Sequence, residues 1–318
     1  MSDLEIQAGL AGAAARRPAG AGRRGPTGDE TGNTGRGFRG RRFGTRSGTG
    51  FGGRIGVAEA LAAVFVLFLL LAALAPGLVA PGDPLAIDPR SAFQAPSWTH
   101  WFGTDESGRD VYTRVAHGTL NSLQIGVVAT LIGLGLGAVL GTVAGMLGSV
   151  VDFTVNRLLE VMFAFPGLLL ALLFIMIFGP GPATATLAVG LATAPGYARI
   201  IRAQLVSVRS SAFVEAATVL GRTRTRILVR HILPNTLAPL LVLGTLGIGQ
   251  AIIWAAALSY LGLGAKPPAA EWGAMLSAGR TYLSTAVWMS FFPGLFVVLT
   301  AISATVLGRA IERRLRHA

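Results

Sequence analysis

Residues 198–235 read ARIIRAQLVSVRSSAFVEAATVLGRTRTRILVRHILPN, a polar, basic stretch lying between two long apolar runs. It holds seven Arg and a single carboxylate, Glu215. Phe213, Ala216, Ala217 and Leu220 recur at i, i+3, i+4 and i+7, the spacing of one apolar stripe on a short helix. Ser210 and Ser211 stand where such a helix takes its N-cap, and Gly221 can supply the left-handed residue that ends it. Thr223 or Thr225 then caps a second short helix through Ile227, Leu228 and His231, and Pro234 pushes Leu233 out of helical geometry and stops it. Two short helices joined at a glycine corner form a rigid shape, where a few polar residues would be enough to turn the chain.

The flanking runs set the class. With 52% hydrophobic and 13% charged residues and a mean hydropathy of +0.60, the 318-residue chain is too apolar for an ordinary soluble domain. Six runs, at residues 57–79, 122–147, 158–178, 183–197, 236–258 and 287–307, are each close to the roughly 20 residues a helix needs to cross a bilayer, the fourth being short. The expectation is an all-α membrane protein of six transmembrane helices. Basic residues fix its orientation: ten in the N-terminal tail, seven in 199–235, Arg157 in the 148–157 connector, and Arg309, Arg313, Arg314 and Arg316 at the end. Only Arg90, Arg109, Arg114, Lys266 and Arg280 fall on the other side, so both termini and the basic loop are expected to be cytoplasmic. The net charge of +12 sits in these clusters and reports orientation and lipid contact. The absence of Cys removes disulfides and thiolate metal sites.

Residues 1–56 are rich in Gly, Arg and Ala and nearly free of apolar periodicity, so they are expected to be a disordered cytoplasmic tail. The run GRGFRGRRFGTR resembles Arg-Gly segments that bind single-stranded nucleic acid. A membrane-tethered nucleic-acid binder is therefore one reading, but the span that follows favours a polybasic tail beside anionic lipid, with no nucleic acid expected. The further divisions are 57–117, a first span and an extracytoplasmic segment; 118–308, the transmembrane core with the 199–235 loop; and 309–318, a basic tail.

In the second run Gly133, Gly137, Gly141 and Gly145 lie four residues apart on one helix face, a ladder that lets two helix backbones approach closely in lipid. Pro166, Pro195 and Pro293 each interrupt a run. From residue 61 on, those runs contain no Asp, Glu, Lys, Arg or His outside the boundary residues 158–160, whereas carriers driven by protons place ionisable groups inside the membrane. The chain also lacks a G-x-x-x-x-G-K-[ST] phosphate loop. If it transports, its energy must come from another polypeptide; no catalytic, cofactor or metal residue is expected here.

The segment VEAATVLGRTRTRILVRHILPN resembles the Glu-Ala-Ala cytoplasmic loop of ABC importer permeases, with Glu215, Ala216, Ala217, Gly221, Ile232 and Pro234 at the defining positions. Two further stretches, WFGTDESGRDVYTRVAHGTLNSL (101–123) and LSYLGLGAKPPAAEWGAMLSAGRTYL (258–283), resemble signatures of the C-type permease subunit of dipeptide, oligopeptide and nickel importers. The resemblance covers most of residues 84–307. It implies a type I ABC importer permease fold in a bacterial inner membrane. It also implies a second permease chain, ABC ATPase subunits carrying ATP and Mg, an extracytoplasmic solute-binding protein, and a dipeptide or oligopeptide in transit, with nickel or another small solute as the alternative. Coupling to the ATPase then falls to Phe213, Glu215, Ala216 and Leu220, with Gly221 setting the angle. The residues themselves read FGTDESGRD as a turn with a capped amphipathic helix lying on the membrane, where Asp105, Glu106, Arg109 and Asp110 solvate one another. Gly262, Gly264, Pro267 and Pro268 mark a turn, and Trp272 and Tyr282 are expected as interfacial anchors.

Overall fold

The computed structural model describes residues 56–317, so the expectations placed on the N-terminal tail lie outside the described residues. Among the described residues the regular structure is helical, joined by irregular connectors such as 80–110. Helices α1 (Val57–Leu74), α2 (Pro76–Val79), α3 (Val111–Met146), α4 (Ser149–Phe163), α5 (Gly167–Phe178) and α6 (Pro182–Arg209) come first. They are followed by α7 (Ala212–Val219), α8 (Arg224–Ile227), a turn of π-helix (Leu228–Ile232), α9 (Leu233–Tyr260), α10 (Trp272–Gly279) and α11 (Trp288–His317). No strand forms among the described residues beyond one isolated bridge, Thr104 with Asp110.

Four helices are long and apolar enough to cross a bilayer: α1, α3, α9 from Pro239 and α11 to Arg314. The bent pair α4–α5 adds a fifth if taken as one broken span. The 28-residue α6 lies along α3 and is the sixth by position, its C-terminal half carrying Arg199, Arg202 and Arg209. The chain is thus a multi-pass membrane protein. Several boundaries differ from those the apolar runs suggest. The first run ends its helix at Leu74, before Pro76. The third is two helices at 94°, broken at Pro166. Pro195 and Pro293, by contrast, stay inside continuous helices, because one lost backbone bond does not outweigh the packing on either side of it.

The glycine ladder of α3 is in register with α6. A Cβ on Gly133 would meet Thr193 Oγ1 at 2.4 Å and one on Gly137 would meet Tyr197 Cβ at 2.5 Å. One on Gly141 would meet the Ala198 carbonyl oxygen at 2.6 Å, and Gly145 faces Leu205. Partner numbers rise together, so α3 and α6 run parallel and finish at the same end of the bundle, the loop end. Around them are two apolar cores. One joins α1, α3, α9, α10 and α11 through Leu69, Val115, Ile252, Trp272 and Phe296. The other joins α3, α5, α6 and α9 through Ala129, Leu170, Val189 and Leu258.

At the far end the chain departs from two expectations. FGTDESGRD does not start a helix lying on the membrane: Asp110 caps α3 by accepting a bond from the Thr113 amide, and α3 runs straight on for 36 residues. Nor do its charges solvate one another in water. Asp105, Arg109 and Arg114 are buried, with both guanidinium groups 3.7 Å from the Asp105 carboxylate. Arg114 also donates to the carbonyls of Pro84 and Pro268, pinning two connectors to the top of α3. Trp272 is completely buried rather than interfacial, donating its amide to Ser122 and its indole N–H to the Val115 carbonyl. Tyr282 is partly buried, 4.9 Å from the Phe93 ring.

Candidate functional site

The loop between α6 and α9 is shorter than the basic stretch suggests, because α6 continues to Arg209 and α9 begins at Leu233. Between them a miniature core forms from Val214 and Ala217 of α7, Ile227, Ile232 and Leu205 of α6. This core fixes which way α7 faces. Val214 and Ala217 turn inward, and Phe213, Glu215, Ala216 and Leu220 are exposed. The stripe expected from spacing is therefore divided: Ala217 belongs to the support, while Phe213, Ala216 and Leu220 lie on the outer face beside Glu215.

The corner has the hydrogen bonds of a Schellman motif. Gly221, at φ +70°, donates to the Thr218 carbonyl, and Arg222 donates to that of Ala217. Ser211 occupies the N-cap position of α7 without capping through its side chain, its hydroxyl donating back to the Val208 carbonyl instead. Thr223 caps the next turn, its hydroxyl accepting from the Arg226 amide at 3.4 Å. Pro234 does not stop a helix. It sits in the first turn of α9, where the missing N–H costs nothing, and the chain passes into α9 through the π turn.

Behind the loop, α6 is tied to α4 by a bidentate ion pair. Arg202 Nε and Nη2 donate to the two Asp152 carboxylate oxygens at 2.5 and 2.6 Å, and Asn156 adds a bond of 2.7 Å to Asp152. Arg199 stacks over the Phe163 ring at 3.9 Å. These contacts link the helix that ends in the loop to the helix that ends at the Pro166 break.

Beside that break lies a cavity of about 430 Å³ between α4, α5, α6 and α9, midway along α6 and α9. Its lining includes Phe163, Gly167, Thr193, Tyr197, Gln250 and Trp254 and no charged residue. The Trp254 ring lies against Gly167, where a Cβ would fall 2.2 Å from it. None of these residues stood out as a site in the sequence. The available signal was Gln250, a lone amide in an apolar run with Trp254 one turn further on.

A second buried polar centre sits at the far end. Glu271, 3% exposed, caps α10 by accepting from the amides of Gly273 and Ala274, both at 2.8 Å. Burial raises its carboxyl pKa above the ordinary 4.5, against the opposing bonds from those amides and from Ser259 and Ser122. Among the described residues no cluster of His, Asp or Glu could hold a metal ion.

Residues 137–317 match the family described as binding-protein-dependent transport system inner membrane component. The dipeptide transport system permease protein DppC of Alkalihalophilus pseudofirmus is 39% identical over 78% of this chain and 82% of its own length. The glutathione transport system permease protein GsiD of Escherichia coli O6:K15:H31 is 39% identical over 79% of this chain and 83% of its own. Among solved structures, an amino acid ABC transporter with histidines aligns over 63% of this chain and 94% of its own, with 20% identity and a TM-score of 0.51. That likeness is one of fold.

Proposed function

Because the chain belongs to the family of binding-protein-dependent transport system inner membrane components, we propose that it is the C-type permease subunit of an ATP-driven importer of dipeptides or oligopeptides. It forms the pathway with a second permease and lies in a bacterial inner membrane with both termini and the 210–232 loop on the cytoplasmic side. ATP and Mg are held by ATPase subunits on other chains, and an extracytoplasmic binding protein delivers the solute. The observation that carries this reading is the loop: a short helix held from behind by its own core, with Phe213, Glu215, Ala216 and Leu220 facing outward. A connector held only by anionic lipid needs charge. It needs neither a buried support nor a Schellman corner.

The mechanism follows from how stiffly that face is mounted. Closure of the motor on ATP moves α7. The miniature core passes the motion to α6 through Leu205, and the glycine ladder passes it to α3, whose backbone lies within contact of α6. The Asp152–Arg202 pair carries the same motion to α4 and hence to the Pro166 break. Whole helices tilt because each of these joints is a packed or bidentate contact. Purifying the complex from its native membrane in mild detergent, with mass spectrometry of what accompanies it, tests the assignment. An ATPase, a second permease and a solute-binding protein are expected. Recovery of the chain alone, under conditions that keep other membrane complexes whole, would overturn it.

A further inference from the structure

Resting on the peptide-importer reading, we propose that the cavity at the α4–α5 break is a subsite for the C-terminal carboxylate of a peptide halfway across the bilayer. Helix α5 begins at Gly167, after Pro166, with no side chain capping it. The first of its amides to find an acceptor is that of Leu170, which bonds to the Pro166 carbonyl. The amides of Gly167, Leu168 and Leu169 are left as the open donors of a helix start, where the peptide dipoles also concentrate partial positive charge. Open backbone at membrane depth persists only where it is covered by protein or lines a cavity. Here Phe165, Gly167 and Leu170 line one.

An independent observation points to a ligand in the same place. Tyr197 lines the cavity, is only 8% exposed, and finds no hydrogen-bond partner for its hydroxyl among the described residues. That oxygen lies against Gly247, another lining residue, where a Cβ would fall 2.1 Å away. Gln250 adds an amide on α9, whereas the Thr193 hydroxyl is spent on the carbonyls of Val189 and Gly190 and lies against Gly133 of α3. The site is thus rich in neutral donors and free of charged side chains. The open amides and the dipole of the helix start favour a carboxylate over an ammonium group. A peptide crossing the membrane must bring its anionic end past a lining without a cation, and a helix start is the neutral device that can receive it. Trp254, Phe163, Phe165 and Met162 supply apolar walls for the neighbouring side chain without choosing among residues.

The test uses the complete importer in proteoliposomes, supplied with ATP and alanine peptides of two to five residues. Gln250→Glu places a fixed carboxylate in the lining of the same cavity, and Gln250→Met is its neutral control. Uptake is expected to be about tenfold lower in Gln250→Glu than in Gln250→Met, and about threefold lower in Tyr197→Phe than in the unaltered complex. Stimulation of ATP hydrolysis by the loaded binding protein should be kept in all three. Equal uptake in the two Gln250 variants, or no effect of Tyr197→Phe, would overturn the subsite and leave a crevice filled by lipid or by the second permease. An unaltered complex that hydrolyses ATP but takes up no alanine peptide would instead overturn the peptide-importer reading, and the subsite with it.

Discussion

Gly137 and Gly135 are two residues apart on α3 and meet opposite surroundings. A Cβ on Gly137 would press within 3.1 Å of Tyr197, Ala198 and Ala194, whereas one on Gly135 would meet nothing within 4 Å. Gly137→Ala is therefore expected to lose about 1–3 kcal/mol by forcing α3 from α6, and Gly135→Ala to be neutral or better by up to about 1 kcal/mol. Thermal unfolding in detergent separates them, and equal behaviour would refute the ladder as a packing surface. Glu271 makes a different prediction. Its raised pKa means the folded protein holds the proton more tightly than the unfolded chain. The stability it contributes is complete below 4.5 and is lost as pH rises through the raised folded value. Glu271→Gln should flatten that part of the stability profile; parallel profiles for the two proteins would show that the carboxyl does not titrate there. The ladder was legible because a repeat of four is a pattern. Glu271, Tyr197 and Trp272 were not, because a single polar or aromatic residue has no period and its burial depends on neighbours distant in sequence.

The loop was legible as an element because its cues are local: a stripe, a corner glycine and a capping threonine. What spacing could not say is which residues of the stripe would support and which would face out, since Val214, outside the stripe, takes the inner place beside Ala217. Proline was the weaker cue. The same residue breaks the chain at Pro166, sits inside helices at Pro195, Pro239 and Pro293, and opens one at Pro234. The difference at Pro166 lies in α4, which carries Asp152, Asn156, Arg157 and Glu160 and so has a polar face that a count of apolar residues overlooks. The corner yields the prediction at this scale. Gly221 has φ +70°, where a β-branched residue is strained by about 1–3 kcal/mol. Gly221→Val should abolish recovery of the ATPase with the permease and ATP-driven uptake, while the bundle unfolds at an unchanged temperature. Gly221→Asn, which tolerates that conformation, should keep most of both. If the valine variant retained the ATPase, the corner would not set the docking angle.

For the molecule as a whole, the apolar runs located the spans but not their lengths, since the polar ends of α3, α6 and α11 continue the helices beyond the hydrocarbon. At about 1.5 Å per residue the 36 residues of α3 extend roughly 54 Å, well past a bilayer core of about 30 Å. Its surplus at the far end is the post to which Arg114 fastens two connectors. At the loop end, Arg313 of α11 pairs with Glu59 in the first turn of α1. The described bundle therefore closes on itself: in space α1 and α11 are neighbours. A short linker from residue 317 to residue 57, with new ends opened at Gly148 on the same side of the membrane, would rotate the order of the helices and leave every one crossing in its original direction.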